Sequence, residues 1–250
     1  MQANLAVSRI GAVSRIAFDR PEKKNALCAA MYLAAIAALQ AAAADEGQRV
    51  VLFSGAGGVF TAGNDLADFL GFDPSAGDEF PALRFVETLA AFPKPVVAAV
   101  AGDAVGVGTT MLFLCDLVYA SPSARFKMPF VDLGLPPEAG VSLLAPRRFG
   151  PAKAAEFLML GEGFGAEEAA RLGLVNRVVA EEELDAVALA AAQKLAQKPA
   201  RALLETRRLL RGDPAEVLDR IALEARLFAE ALSGAEAQAR FAAFLQKGRS

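Results

Sequence analysis

Residues 95–116 read PVVAAVAGDAVGVGTTMLFLCD, and this stretch decides the fold class. Pro95–Val100 is a short apolar run rich in valine, which is typical of a strand buried on both faces. Gly102–Gly108 is rich in glycine and predicts a tight turn, and Thr109–Cys115 predicts a helix that follows it directly. A buried strand followed by a turn and a helix indicates an α/β fold with a mostly parallel sheet.

The same pattern occurs earlier in the chain. Leu5–Ile10 and Ala12–Phe18 are short runs rich in β-branched residues that predict a hairpin, and Arg49–Ser54 predicts another buried strand. Ala29–Ala44 is rich in alanine and leucine and predicts a helix. Asp45–Gly47 is predicted to end that helix, because glycine tolerates a left-handed backbone.

The segment after residue 136 is predicted to be mainly helical, with one strand at Leu174–Val179. The predicted helices are Glu138–Phe149, Pro151–Leu160, Ala166–Leu172, Glu182–Gln197, Pro199–Arg211, Pro214–Leu232 and Ala235–Gln246. The last of these helices carry alanine and leucine on one face and glutamate and arginine on the other. That distribution favours packing against a core or against another subunit.

The composition excludes several classes of function. The 250 residues are 54% apolar and 22% charged, which suits a globular domain with a sizeable core. The net charge of −3 gives no sign of a surface for nucleic acid or for an anionic membrane. The chain contains 0 histidines. Ser-His-Asp and Cys-His nucleophilic sites, histidine metal sites and histidine acid–base catalysis are therefore excluded.

The cysteines and the N-terminus point to a cellular setting. Cys28 and Cys115 lie far apart in apolar surroundings and predict buried thiols of a reducing compartment. Residues 1–4 show no basic segment followed by an apolar run, so no signal peptide is predicted. The longest apolar runs fall well short of the roughly 20 residues that a membrane helix needs. We therefore expect a cytoplasmic protein without membrane contact.

Two glycine-rich segments place backbone N–H groups after a predicted buried strand. They are residues 60–66 (FTAGNDL) and 101–109 (AGDAVGVGT), and the second runs directly into a predicted helix. A helix N-terminus presents unpaired N–H groups, and two such groups that converge on one point form an oxyanion hole. The alternative is that the glycines only permit tight turns and close packing. Neither segment has the glycine spacing of a dinucleotide-binding turn or the sequence of a phosphate-binding loop.

With these segments the chain resembles the crotonase superfamily, which comprises the enoyl-CoA hydratases and isomerases. Five blocks match that family in order and spacing. They are Phe18–Pro21 with Lys24–Leu27 (FDRP and KNAL), Val59–Leu66 (VFTAGNDL), Pro93–Asp116, Phe126–Gly140 and Gly161–Val179. The sequence GNDL at Gly63–Leu66 is similar to that of the peroxisomal-type Δ3,Δ2-enoyl-CoA isomerases.

The resemblance implies an α/β fold, the crotonase (ClpP-like) spiral of repeated ββα units. It implies a spiral core with an acyl-CoA site at residues 1–199 and a C-terminal helical trimerisation region at residues 200–250. The expected assembly is a homotrimer or a dimer of trimers. No metal or redox cofactor is expected, because coenzyme A arrives as part of the acyl-CoA thioester substrate.

The resemblance also implies the residues of the site. The backbone N–H groups of Asn64 and Val107 take the positions that hold the thioester oxygen. An enolate formed next to a thioester needs such donors fixed in advance. Contacts with the substrate or its coenzyme A are implied for Lys24, Ala26, Ala62, Gly63, Asn64, Asp65, Leu66, Phe130, Leu135 and Lys247.

One carboxylate is the expected base. The two glutamates of the family's hydratases fall at Thr110 and Phe130 here, and neither side chain can perform that proton transfer. Glu138 matches the catalytic glutamate of the isomerases. The favoured reaction is therefore the conversion of 3-enoyl-CoA into 2-trans-enoyl-CoA with Glu138 as the base.

Other interpretations remain open from the sequence. Glu138 lies at the start of a predicted helix, where a carboxylate commonly complements the helix dipole without a catalytic role. The chain could also perform another crotonase reaction on an acyl-CoA, namely hydration, hydrolysis or decarboxylation. A further alternative is a protein that binds acyl-CoA without turning it over.

Overall fold

A six-stranded sheet forms the centre of the molecule. The computed structural model describes residues 4–65 and 80–247, with side chains in the last helix described as far as residue 243. The sheet order is β1-β2-β3-β4-β6-β9, and these strands span Leu5–Ile10 (β1), Val13–Phe18 (β2), Val50–Gly55 (β3), Val96–Val100 (β4), Leu117–Ala120 (β6) and Arg177–Val178 (β9). β1 and β2 form an antiparallel hairpin, and the other neighbouring pairs are parallel. The predicted hairpin and the mostly parallel sheet are confirmed.

A second, three-stranded sheet has the order β5-β7-β8, with strands Asp103–Val105 (β5), Arg125–Lys127 (β7) and Phe164–Gly165 (β8). The sequence predicted only a turn at Gly102–Gly108 and missed β5. This strand has three residues and lies between Gly102 and Gly106, whose φ angles are +58° and +55°. It is therefore too short to produce a periodic pattern.

Ten α-helices occur within the described ranges. They span Ala29–Ala44 (α1), Pro81–Ala90 (α2), Val107–Thr110 (α3), Val141–Phe149 (α4), Pro151–Met159 (α5), Ala166–Arg171 (α6), Leu184–Ala196 (α7), Ala200–Arg211 (α8), Pro214–Leu232 (α9) and Ala235–Lys247 (α10). The predicted single helix at Thr109–Cys115 is in fact α3 continued by a 3₁₀-helix at Met111–Leu114. Within these ranges no helix combines the length and apolar character that a membrane crossing requires.

The predicted helix at Glu138–Phe149 begins later than expected. α4 begins at Val141, because Ala139 and Gly140 have φ angles of +62° and +74°. A left-handed backbone cannot form part of a right-handed helix. Glu138 therefore lies in the loop before α4, outside its first turn. The interpretation of Glu138 as a carboxylate of the first helical turn is wrong for this reason.

The large sheet is covered on both faces by helices. Phe53 of β3 lies in the main core, and its neighbour Leu52 lies in a smaller core on the opposite face, together with Ala188 of α7. The main core also contains Phe228 of α9 and Phe241 of α10. The last two helices thus pack into the core of the spiral, and the trimerisation role of residues 200–250 stays a prediction.

Candidate active site

The two glycine-rich segments lie side by side. The Thr61 N–H donates to the Asp103 carbonyl at 2.9 Å, and the Val105 N–H donates to the Thr61 carbonyl at 3.0 Å, which joins the first segment to β5. Two glycines permit this approach. A Cβ on Gly63 would lie 2.7 Å from the Val105 carbonyl oxygen, and a Cβ on Gly108 would lie 2.6 Å from Thr61 Cγ2. Close packing therefore brings the two predicted N–H donors onto neighbouring segments.

The Asn64 N–H takes no part in the hydrogen bonds that pair its segment with Leu27. The Leu27 N–H donates to the Gly63 carbonyl at 2.8 Å, and the Leu27 carbonyl accepts the Asp65 N–H at 2.9 Å. Parallel pairing of this kind directs the N–H of the intervening residue, Asn64, to the other side. Among the described residues no acceptor binds that N–H.

The Val107 N–H is available for a different reason. Val107 is the first residue of α3, and the first N–H groups of a helix have no partner within the helix. Gly106 precedes it with φ 55° and ψ −120°, a conformation that glycine adopts far more readily than other residues. In the described part of the chain this N–H also has no acceptor. Both predicted donors therefore have no acceptor among the described residues, and the oxyanion hole itself stays a prediction.

Side chains hold the backbone of Asn64 and Asp65 in place. The Tyr32 hydroxyl from α1 donates to Asn64 Oδ1 at 2.5 Å, and Arg20 Nη1 donates to Asp65 Oδ2 at 2.6 Å. The hydrogen bond to Asp65 is the main reason why the pKa of Arg20 lies above its ordinary value. Arg20 also donates to the Ala26 carbonyl at 3.2 Å, so it ties two parts of the site together.

A cleft of about 580 Å³ opens beside these segments. Pockets of this size commonly hold small molecules. Most of the predicted site residues line it, namely Ala26, Ala62, Gly63, Asn64, Asp65, Phe130 and Leu135. The structure thus brings these predicted contacts together around one cavity.

Several residues of the cleft were not predicted. Lys127 is the last residue of β7, and Phe228, Arg240 and Phe241 come from α9 and α10. The other unpredicted lining residues are Val105, Gly106, Pro129, Asp132, Leu133 and Ala243. Lys127 lies within the family-matching block Phe126–Gly140, so the sequence contained a signal for it. No local pattern connects the helical residues with the site, because only tertiary packing brings them there.

Of the three remaining predicted contacts, Lys24 does not line the cleft. Lys24 is exposed, and its Nζ lies 3.4 Å from Asp103 Oδ2, although its carbonyl accepts the Ala62 N–H at 2.9 Å. Leu66 lies outside the described residues. The backbone of Lys247 ends α10, and its side chain lies outside the described part of the structure.

Glu138 follows the cleft residue Leu135 by three positions but is not itself part of the described lining. The residue is partly exposed as a whole, yet its Oε1 is buried and has no hydrogen-bond partner among the described residues. Burial raises the pKa of this carboxyl from 4.5 to about 8, and the charge of Glu224 adds to the effect. A pKa near neutrality is what a general base requires.

The positions of the two hydratase glutamates are buried here without a carboxylate. Thr110 belongs to α3, and its Oγ1 has no hydrogen-bond partner within the described ranges. Phe130 is buried and lines the cleft. A threonine hydroxyl and a phenyl ring cannot accept a proton near neutral pH.

Cys115 offers no alternative nucleophile. Cys115 is buried and Cys28 is half-buried, and both are free thiols. Burial raises the pKa of Cys115 to about 12, so it stays protonated at neutral pH. Since the thiolate is the nucleophilic form, Cys115 is chemically inert.

A family model described as enoyl-CoA hydratase/isomerase matches residues 9–250, which is nearly the whole chain. The chain belongs to the enoyl-CoA hydratase/isomerase family. The crystal structure of an enoyl-CoA hydratase/isomerase from Pseudoalteromonas atlantica has a TM-score of 0.92 and 40% sequence identity, and the match covers 98% of this chain and 97% of that chain. The predicted crotonase fold is thereby confirmed.

Relatives within the enoyl-CoA hydratase/isomerase family include proteins named as isomerases and proteins named as hydratases. Enoyl-CoA delta isomerase 2 from Rattus norvegicus is 39% identical over 219 residues, which are 86% of this chain and 56% of the rat protein. The chain therefore spans little more than half the length of that relative. The 2,3-dehydroadipyl-CoA hydratase of Escherichia coli is 33% identical over 246 residues, 98% of this chain and 96% of the relative. These likenesses show an enzyme of this family without separating isomerase from hydratase.

Proposed function

We propose that the protein is an acyl-CoA enzyme that converts 3-enoyl-CoA into 2-trans-enoyl-CoA, with Glu138 as the base. The observation that carries this proposal is the Glu138 carboxyl. Its Oε1 is buried, it has no hydrogen-bond partner among the described residues, and its pKa is about 8. Such a carboxyl is suited to taking up and returning a single proton. The relatives named enoyl-CoA delta isomerase and 2,3-dehydroadipyl-CoA hydratase support an acyl-CoA thioester as the substrate.

The reaction moves one proton and leaves the other atoms in place. The ionised Glu138 carboxylate takes the proton from C2 of the 3-enoyl thioester, and the electron pair of the C–H bond passes into the thioester carbonyl. The resulting dienolate carries its negative charge on the thioester oxygen. Glu138 then returns the proton to C4 while the C2–C3 double bond forms. One carboxyl suffices because no proton is gained or lost overall.

The N–H groups of Asn64 and Val107 stabilise the dienolate oxygen. Loss of one preorganised donor of this kind typically costs about 2.7–4 kcal/mol of transition-state stabilisation. Phe130 and Leu135 supply apolar walls in the cleft. A low local dielectric strengthens both hydrogen bonds to the developing charge.

Isomerisation should exceed hydration by about 10²-fold or more, because a positioned proton donor or acceptor contributes about 10²–10⁴-fold and hydration needs a second one. The test supplies 3-enoyl-CoA and 2-trans-enoyl-CoA separately. Ultraviolet absorbance of the conjugated thioester rises on isomerisation and falls on hydration. Faster hydration, or a hydrolysis or decarboxylation product in mass spectrometry, would assign the chain to another reaction. Binding of every thioester without any product would make it an acyl-CoA-binding protein.

We also propose that the protein assembles as a homotrimer or a dimer of trimers through α8. No residue of α8 is buried within the chain, although it carries Leu204, Leu209 and Leu210. These side chains are 39%, 74% and 83% exposed. Large apolar side chains left exposed on a helix without buried residues favour burial against another copy of the chain.

The double substitution Leu209→Glu with Leu210→Glu should produce monomers. Burial of one leucine contributes about 1.5–3 kcal/mol, and a carboxylate at the same place would have to be desolvated. Sedimentation velocity measures the change. Val7→Glu is the control, because Val7 is 52% exposed on the edge strand β1 and the assembly should tolerate a charge there. A monomeric wild type, or an assembly that survives the double substitution, would contradict this role of α8.

A further inference from the structure

Glu138 precedes a turn with an uncommon backbone conformation. The Val141 N–H donates to the Glu138 carbonyl at 3.2 Å, which closes a four-residue turn. Ala139 and Gly140, the two central residues, have φ angles of +62° and +74°. Alanine disfavours the left-handed region, so something outside the turn must stabilise this conformation.

A buried carboxylate on α9 binds this turn. Glu224 Oε2 accepts the Gly140 N–H at 2.6 Å, and Glu224 Oε1 accepts the Ser142 N–H at 2.9 Å. Glu224 is only 4% exposed. Each oxygen thus serves a different N–H group. In the same placement, glutamine would put its NH2 group, itself a donor, against one of these two N–H groups.

The backbone of the turn also lies close to α9. A Cβ on Gly140 would lie 3.3 Å from Val217 Cγ1 and 3.4 Å from Ile221 Cγ1, tighter than ordinary contacts. A Cβ at this point would require Val217 and Ile221 to shift by a few tenths of an ångström. Glu224 lies on the same helix and supplies the polar contacts that hold Gly140 against it.

Arg220 is a charged neighbour of Glu224. Burial raises the pKa of Glu224, although the hydrogen bonds from Ser142 and Gly140 and the charge of Arg220 act in the opposite direction. Arg220 Nη1 donates to Ser142 Oγ at 3.0 Å. On the protein surface, Arg147 of α4 forms an ion pair with Glu216 of α9. For Glu138, the negative charge of Glu224 acts together with burial to disfavour ionisation.

We infer that Glu224 is a positioning residue for Glu138: its two hydrogen bonds hold the left-handed turn at residues 138–141, and this turn fixes the position of Glu138. This inference rests on the proposed function, in which Glu138 is the base. It assigns to α9 a role in the reaction that the sequence did not indicate. Glu224 does not touch the substrate in this account and acts only through Glu138.

The experiment compares Glu224→Gln with Glu216→Gln, a matched substitution on the exposed side of the same helix. For Glu224→Gln we expect kcat to fall about 10²-fold, the typical effect of a small misplacement of a catalytic group, while KM changes little. The pH midpoint of kcat/KM should move to a lower pH, because a neighbouring negative charge has been removed. Glu216→Gln should leave kcat and midpoint unchanged.

A second readout does not depend on turnover. Nuclear magnetic resonance of side-chain carboxyls labelled with carbon-13 follows the titration of Glu138, whose signal is assigned by its loss in Glu138→Gln. Its midpoint should fall in Glu224→Gln and not in Glu216→Gln. If the wild type isomerises no thioester, the proposed function fails, and this comparison still tests the inference. An unchanged Glu138 midpoint would overturn it.

Rescue separates positioning from general stability. Ala139→Gly places a residue that adopts positive φ without strain at the centre of the turn. Added to Glu224→Gln, it should restore part of the lost kcat, and it also supports folding if Glu224→Gln alone is unstable. A double variant that regains stability without regaining any activity would show that Glu224 only stabilises the fold.

Discussion

Changing Glu138 to glutamine should lower kcat for the isomerisation of 3-enoyl-CoA by about 10³-fold, within the range that a positioned acid or base contributes. Glutamine keeps the volume of the side chain but cannot accept the proton from C2. Substrate binding should be nearly unchanged, because the carboxyl acts mainly in the transition state. Glu162→Gln, at an exposed glutamate before β8, is the control. Undiminished turnover in the Glu138 variant would contradict the assignment.

The pH profile tests the same residue in a second way. The pKa of Glu138 is about 8, and the base must be ionised, so wild-type kcat/KM should rise with pH and level off above pH 8. Glu138→Gln should lose this rise. Because the folded-state pKa is raised, ionisation of Glu138 destabilises the fold as the pH rises from 4.5 through about 8. The glutamine variant should therefore be at least as stable as the wild type above pH 8, which separates lost chemistry from unfolding.

Changing Gly63 to alanine should lower kcat by about 10²–10³-fold, the effect typical of losing one oxyanion donor. Proline is the one residue that removes a backbone N–H, and it would also fix φ at about −65°. The residue before Asn64 therefore gives milder experimental access to this donor. The new Cβ would lie 2.7 Å from the Val105 carbonyl oxygen, and φ at Gly63 is +89°. The segment would have to move away from β5 and take the Asn64 N–H with it.

Gly173→Ala is the matched control for that substitution. Gly173 has a φ of +79°, and among the described residues no heavy atom lies within 4 Å of an added Cβ. Alanine there costs only the left-handed backbone itself, about 1–2 kcal/mol. Urea unfolding should show a larger loss of stability for Gly63→Ala, and kcat should fall in that variant alone. Equal kcat values in the two variants would contradict a donor at Asn64.

The regular elements were predictable where local pattern determines them. Leu5–Ile10 and Ala29–Ala44 agree with the structure residue for residue, because each is a run of uniform propensity bounded by a turn. β5 was not predictable in this way. Its three residues pair with Thr61 and with β7, and these contacts between distant parts of the chain decide its conformation.

The candidate site was predictable at its glycines and not around its base. The close approach at Gly63 requires a residue without a side chain, so the requirement is visible in the sequence. The surroundings of Glu138 depend on Ala139 at a φ of +62°, a conformation that alanine rarely adopts. They also depend on Glu224, which lies far along the chain and meets the turn only through tertiary packing.

Glu224 and Phe228 lie one helical turn apart on α9, so they share one face of that helix. Phe228 forms part of the cleft wall, and Glu224 binds the turn that follows Glu138. A shift or rotation of α9 would alter both contacts at once. A substitution that shifts α9 is therefore expected to change acyl preference and base strength together.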